Sequence, residues 1–402
     1  MDREELQRRK LQRDQKRAAR RRKLLIKLIA AVTVLCLCGG LIFYVVQRNR
    51  AAEEANKNTG NTPSTTVIHL AAAGDLNITD RVVQSDFATA FLDVTHLLAD
   101  ADMTMLNFEG GFFGAPYGSA TASAPQSLAL ALSRAGVDIL QFANSYAIFD
   151  GMQGLGHSIT SVKQAGISPL GVYADKNAAK AGKGYIIREI KGIKVAFVAF
   201  TKGMDGTALP EGNEGCVNLL YTDYDSTYQK VDTAGIKKIL ENVEKESPDL
   251  TVAMLHWGSE FNDTVSATQN TIRDLMLEGG VDAIIGTHPH YVQKMEFNAE
   301  KGTFVAYSLG DFFGDATRAG SEYSVVLDLE ITKNNDTGET KITNFSYTPI
   351  FTVAEEDQSL RVARIQEAIR AYEAGHLDRV SQASYEKMKY ALTRIEARIN
   401  GK

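Results

Sequence analysis

The sequence predicts an α/β protein whose sheet system is partly antiparallel, preceded by one transmembrane helix. Three observations carry this expectation. From Val67 onward, short apolar runs alternate with amphipathic stretches, the pattern of folds that lay helices against a sheet. The late segments Phe304–Ser308, Ser324–Ile331 and Lys341–Thr348 follow one another without helical patterns, which calls for mixed or antiparallel pairing. Leu28–Val46 is nineteen residues without a charge, enough to cross a hydrocarbon core of about 30 Å at about 1.5 Å per residue.

The elements follow in order. Residues 1–23 are a basic head, with eleven Lys/Arg against four acids. The positive-inside rule places that head in the cytoplasm and the body beyond the cell membrane, so the chain reads as single-pass with an extracellular main domain. A cleaved signal peptide fits poorly, because its apolar region is about 7–15 residues and ends in an A-x-A-like site. The membrane helix is drawn over 24–47. Residues 48–66 are small, polar and broken by Gly60 and Pro63, as in a flexible stalk.

The body proper is drawn over 67–354. Strands are expected at Val67–Ala73, Met103–Phe108, Asp138–Phe142, Tyr185–Ile190, Lys194–Phe200, Leu250–Leu255 and Ala283–Gly286, ahead of the three late segments. Apolar residues at three- and four-residue spacing mark helices at Phe87–Ala99, Gln126–Ala135, Met152–Ala165, Tyr228–Glu246 and Ala267–Glu278. Residues 355–402 read as two charged helices, Gln358–Ala374 and Arg379–Ile399, meeting near Gly375.

Composition closes off several classes. With 44% apolar residues and 8 prolines in 402 positions, the chain is neither wholly disordered nor collagen-like. Cys36 and Cys38 lie in the apolar run and leave Cys216 alone in the body, so no disulfide braces it. The formal charge of -5 conceals an asymmetry: residues 51–402 carry thirty Lys/Arg against forty-five Asp/Glu, a net of about -15. Such a body does not bind nucleic acid, which needs clustered Lys/Arg.

Ligands of open α/β sheets gather at the carboxyl ends of strands. Five expected strand ends carry metal-type donors: Asp75, Glu109, Asn144, His256, and the pair His288 and His290. Two carboxylates, an amide and three imidazoles on one edge suit one or two divalent ions, manganese or zinc by donor type, with a water as nucleophile. Pro289 is expected to hold the backbone extended so that His288 and His290 point to the same side. His69, His96, His157 and His376 have no second ligand nearby in sequence and are left structural.

These residues also carry a resemblance. The ordered series is Ala73-Gly74-Asp75, Asn107-Phe108-Glu109-Gly110, Ala143-Asn144 with Gly151 and Gly154-Leu155, His256-Trp257-Gly258-Ser259-Glu260-Phe261, Gly286-Thr287-His288-Pro289-His290 and Tyr307-Ser308-Leu309-Gly310-Asp311-Phe312. Over residues 67–350 it resembles the CapA-type bacterial capsule synthesis family, associated with poly-γ-glutamate capsule. The resemblance implies a calcineurin-like metallophosphoesterase fold, two packed mixed sheets flanked by helices. It also implies a surface role in synthesis, export or retention of an anionic polymer, with the polymer or its synthesis machinery as partner. Two activities stay open: metal-dependent hydrolysis of an envelope phosphoester or amide, and a non-catalytic binding scaffold.

Two departures bear on that choice. Where the family shows Ala-Asn-Asn-His and then an acid, this chain has Ala143-Asn144-Ser145-Tyr146 and Phe149. The resemblance makes the second Asn a metal ligand and the His an acid or transition-state stabiliser. Ser145 supplies only a weak neutral oxygen, and Tyr146, with an ordinary pKa of about 10, is a poor proton shuttle near neutrality. Tyr146 is thus either a repurposed catalytic group or a relic. The second departure replaces the family's Asn with Asp311, a further candidate catalytic group or substitute ligand.

Overall fold

The computed structural model describes residues 64–401 apart from 317, 356 and 377–379; the basic head, the predicted membrane helix and nearly all of the stalk lie outside the described residues. Among the described residues, no helix is long and apolar enough to cross a membrane.

Among the described residues, fourteen strands build two mixed sheets. β1 (Thr65–Asn77), β2 (Met103–Glu109), β3 (Ile139–Gln141) and β4 (Ser168–Leu170) run parallel, and β1 continues antiparallel into β12 (Tyr323–Asn334), β13 (Thr340–Ala354) and β14 (Leu360–Arg364). β11 (Asp311–Phe313) pairs parallel with the end of β1. The second sheet has the order β5 (Tyr185–Ile190), β6 (Ile193–Thr201), β7 (Leu250–His256), β8 (Ala283–Thr287), β10 (Thr303–Ala306) and β9 (Met295–Asn298). Its four inner strands are parallel, and β5 and β9 are antiparallel edges.

Strand alternation explains the layering. On β6 and β7, Val195, Phe197, Ala199, Val252 and Met254 face the core shared with the first sheet. Their neighbours Ala196, Val198, Phe200, Ala253 and Leu255 pack instead with Ile236, Leu240, Ile272 and Met276 of the helices Thr233–Glu244 and Ala267–Glu278. A strand covered on both faces reads as an unbroken apolar run, which is why β6 was visible in the sequence.

Several expected elements change. Of Phe87–Ala99, only Thr95–Ala99 is α-helical. The Asp86 carboxylate accepts from the Ala88 amide and the Thr89 hydroxyl, and such local side-chain bonds compete with a helix start. Tyr228–Glu246 begins its helix only at Thr233, where Asp232 caps the Gly235 amide. The first part of Gln358–Ala374 is strand: Leu360 and Val362 alternate inward on β14, and the helix is Ile365–Glu373. It packs near β13 and β14, and Gln382–Ile399 near β12 and β13. β4, β9, β11 and the helix Lys176–Gly182 had no counterpart in the expected elements.

A metal-type centre at the meeting of two strand edges

The carboxyl ends of β1, β2, β7 and β8 converge, and each contributes a donor. Gly74 lets β1 reach its neighbour: a Cβ there would lie 1.7 Å from the Gly310 carbonyl oxygen. The next amide, of Asp75, donates to that oxygen at 3.0 Å, and Asp75 falls in register with Asp311. Asp75 and His256 are wholly buried, and Glu109, His288 and Asp311 nearly so.

Asn107 organises the two carboxylates of the first sheet. Its Nδ2 donates to Asp75 Oδ1 at 2.6 Å and Glu109 Oε1 at 2.7 Å, and its Oδ1 accepts from Asn144 Nδ2 at 3.0 Å. Asn144 also donates to the Phe108 carbonyl and accepts from the Tyr146 amide. Asn144 therefore positions Asn107, and both ends of its amide are occupied within the chain. Asn107 stands in the motif series without a role assigned to it, although a residue two before Glu109 on a strand must share its face.

His256 is set from behind. The single proton of the Thr201 hydroxyl goes to the Gly203 carbonyl at 2.9 Å, so Oγ1 accepts from His256 Nδ1–H at 3.0 Å. That tautomer leaves a lone pair on Nε2. Nε2 lies 2.9 Å from Glu109 Oε1 yet has no aligned hydrogen-bond partner among the described residues. A metal ion held between these two donors would satisfy both.

The His-Pro-His loop is not extended as expected. His288 and His290 both take left-handed backbone, with φ of 89° and 58°. Their rings still gather at the centre: His288 lies 4.3 Å from the His256 ring, and its amide donates to Asp75 Oδ2 at 3.0 Å. His290 Nδ1 is 2.7 Å from Asp311 Oδ1 and 3.8 Å from Asp75 Oδ2. Donor atoms of Asp75, His290 and Asp311 all lie within 4.8 Å of one another, as do those of Glu260, His288 and His290.

The electrostatics match a cation site. Burial pushes the Asp75 carboxyl up to about 8, with Glu109 and Asp311 adding to the rise and His290 opposing it. Burial likewise raises Asp311. It works against Glu109 too, but the His256 ring, His290 and Asn107 outweigh it and hold that carboxyl below its usual range. Burial opposes a charge on His290, whereas Asp311 and Asp75 carry it up to about 10. His288 falls well below its usual value through burial and the neighbouring His256 and Lys202. Three buried carboxylates with one strongly basic imidazole among them form a donor set that fits a divalent cation. Asp75, Glu109, His256, His288, His290 and Asp311 are the residues that would hold it.

The remaining candidate behaves differently. Burial first, and then the charges of Glu109, Asp205 and Glu260, push the Tyr146 phenol up to about 12. Ser145 Oγ is committed to Asp205 Oδ1 at 3.0 Å. Lys202, unremarked in the sequence, brings its Nζ to 3.4 Å from His288 Nε2 and 3.2 Å from the Gly258 carbonyl.

Fold and site together define an α/β sandwich with a metal-type centre at its strand ends. The chain belongs to the bacterial capsule synthesis protein family PGA_cap, whose profile matches residues 69–316. It is 26% identical over 213 residues to the capsule biosynthesis protein CapA of Bacillus anthracis, covering 53% of this chain and 48% of that one. With the PGA biosynthesis protein CapA of Bacillus subtilis it shares 25% over 206 residues, 51% of this chain and 50% of that one. The match thus spans about half the length of these relatives. Among solved structures, a calcineurin-like phosphoesterase of Bacillus subtilis aligns with TM-score 0.43 and 16% identity, covering 84% of this chain and 98% of that one. A phosphatase of Mycoplasma pneumoniae aligns with TM-score 0.45 and 16% identity, covering 71% and 94%.

Proposed function

We propose that this chain is a membrane-anchored, extracytoplasmic CapA-type protein acting in the synthesis, export or retention of an anionic surface polymer such as poly-γ-glutamate. The observation that carries the reading is the buried cluster of Asp75, Glu109, His256, His288, His290 and Asp311, found in a chain of the capsule synthesis family. One or two divalent ions there, manganese or zinc by donor type, would polarise a phosphoryl or carbonyl oxygen and acidify a water. The chain's own residues fix the donors: Asn107 spaces the carboxylates, Thr201 sets the His256 tautomer, and Lys202 adds positive charge beside His288. The basic head and Leu28–Val46 support the anchor, with the N-terminus in the cytoplasm and the body outside the cell.

Deleting the gene is expected to change the amount, length or attachment of surface polymer, and complementation with Asp75→Asn should fail to restore it. Unchanged polymer after deletion would sink the reading. A second reading, a non-catalytic scaffold on the same fold, is favoured by one observation: Ser145 is committed to Asp205, and the Tyr146 phenol stands too high to shuttle protons. Hydrolysis of phosphoesters or γ-glutamyl amides that appears only after Ser145→Asn/Tyr146→His would support the scaffold. Turnover by the unaltered chain would reject it.

A further inference from the structure

A half-open cavity of about 790 Å³ lies outside the metal-type centre, walled by the helices Lys176–Gly182 and Thr233–Glu244 and by part of the chain between Leu209 and Tyr224. Four lysines line it, Lys176, Lys180, Lys183 and Lys238, against two acids, Glu214 and Asp232. Both acids are engaged locally. Glu214 accepts from Lys176 Nζ at 3.2 Å, and Asp232 accepts from the Gly235 amide at 2.9 Å as a helix cap. Lys183 stands 3.8 Å from Glu246. Lys180 and Lys238 have no ion-pair partner among the described residues. On a body of net charge about -15, two lysines of this lining, Lys180 and Lys238, are thus left without a paired acid among the described residues.

The floor is of another kind. Leu209, Val217, Leu219 and Ile239 present apolar surface, joined by the rings of Tyr173 and Tyr224. Basic groups above an apolar floor select a ligand that alternates anionic groups with short hydrocarbon spacers. The cavity is also tied to the centre through the chain after β6: Lys202 contacts His288, Asp205 accepts from Ser145, and Leu209 lines the cavity.

We propose that this cavity is a binding subsite for a polycarboxylate chain with methylene spacers, a γ-linked glutamate segment being the instance; only the identity of the polymer rests on the function proposed above. Carboxylates meet Lys180 and Lys238, and the methylene pairs lie on the Leu209–Ile239 floor.

The test is a fluorescence-anisotropy titration of the full chain in detergent with a labelled γ-glutamyl decamer. Lys180→Glu/Lys238→Glu should weaken binding about tenfold or more, and Ile239→Gln should weaken it by less. The same charge change outside the cavity, Lys237→Glu/Lys301→Glu, should leave affinity unchanged. Equal losses for the two double variants would overturn the proposal. So would displacement of the decamer by inorganic polyphosphate at equal charge concentration, which would mean the apolar floor plays no part. Lysine-dependent binding in a chain whose deletion leaves the surface polymer unchanged keeps the subsite and rejects the polymer-assembly role. No binding by the unaltered chain, together with polymer loss on deletion, rejects the subsite alone.

Discussion

The two halves of the centre are built by different means. Asp75 and Asp311 are aligned by the main chain, as register partners on parallel strands with the Asp75 amide bonded to Gly310, and the His290 ring joins them through Asp311. Glu109, His256 and His288 are placed by side chains, through Asn107, Thr201 and Lys202. The electrostatics divide the same way. Burial raises Asp75 and Asp311 in the first half, so that side holds protons beside the strongly basic His290. In the second, Glu109 is lowered despite burial and His288 is lowered by it, so that side offers lone pairs. The first half must release protons to take a cation, whereas the second presents Glu109 and His288 ready to donate. The His288 amide on Asp75 joins them.

The comparison can be broken outright. His288→Ala/His290→Ala removes an imidazole from each half, and bound metal measured by mass spectrometry should fall to none while the circular dichroism spectrum is kept. Global unfolding would mark the pair as structural instead. Gly74→Ala attacks the main-chain half alone: a Cβ 1.7 Å from Gly310 O forces β1 and β11 apart, costing about 3 kcal/mol in a denaturation titration. A well-folded variant would refute the close approach.

Milder changes sharpen it. Asp311→Asn keeps the shape but removes a charge from the first half, and cation affinity by calorimetry should drop about ten- to a hundredfold. Thr201→Val frees the His256 tautomer in the second half and should cost about tenfold. Equal losses would deny the halves separate character. The site also responds to pH. Without metal, Asp75 at about 8 and His290 at about 10 both hold a proton at neutrality. A cation must expel those protons, so affinity should rise with pH until about 10. Both folded values lie above the ordinary 3.8 and 6.5. The stability they lend the metal-free chain is therefore complete at acid pH, and is lost as pH rises through about 8 and then about 10.

Much of this was legible because buried parallel strands announce themselves. Tyr185–Ile190 and Ala267–Glu278 were drawn with the bounds observed, and the donors at the ends of β1, β2, β7 and β8 followed from those strands. What escaped was set by partners distant in sequence. β11 has three residues and exists because β1 offers it a place, and β14 exists because β13 does. Thr201 and Lys202 mattered only once β6 lay beside β7. The left-handed backbone at His288 and His290 overrode the expectation from Pro289, whose ring limits the residue before it but cannot fix its φ.

The chain leaves β10 in one sheet and enters β11 in the other across Tyr307–Gly310. On that short crossing, the Tyr307 carbonyl accepts from the Trp257 indole at 2.8 Å, and the Gly310 carbonyl accepts from the Asp75 amide at 3.0 Å. The crossing acts as a stitch between the sheets, tied off beside the metal-type centre. Sliding one sheet over the other would pull the stitch and scatter the donors, so loss of the cation and parting of the sandwich are a single event.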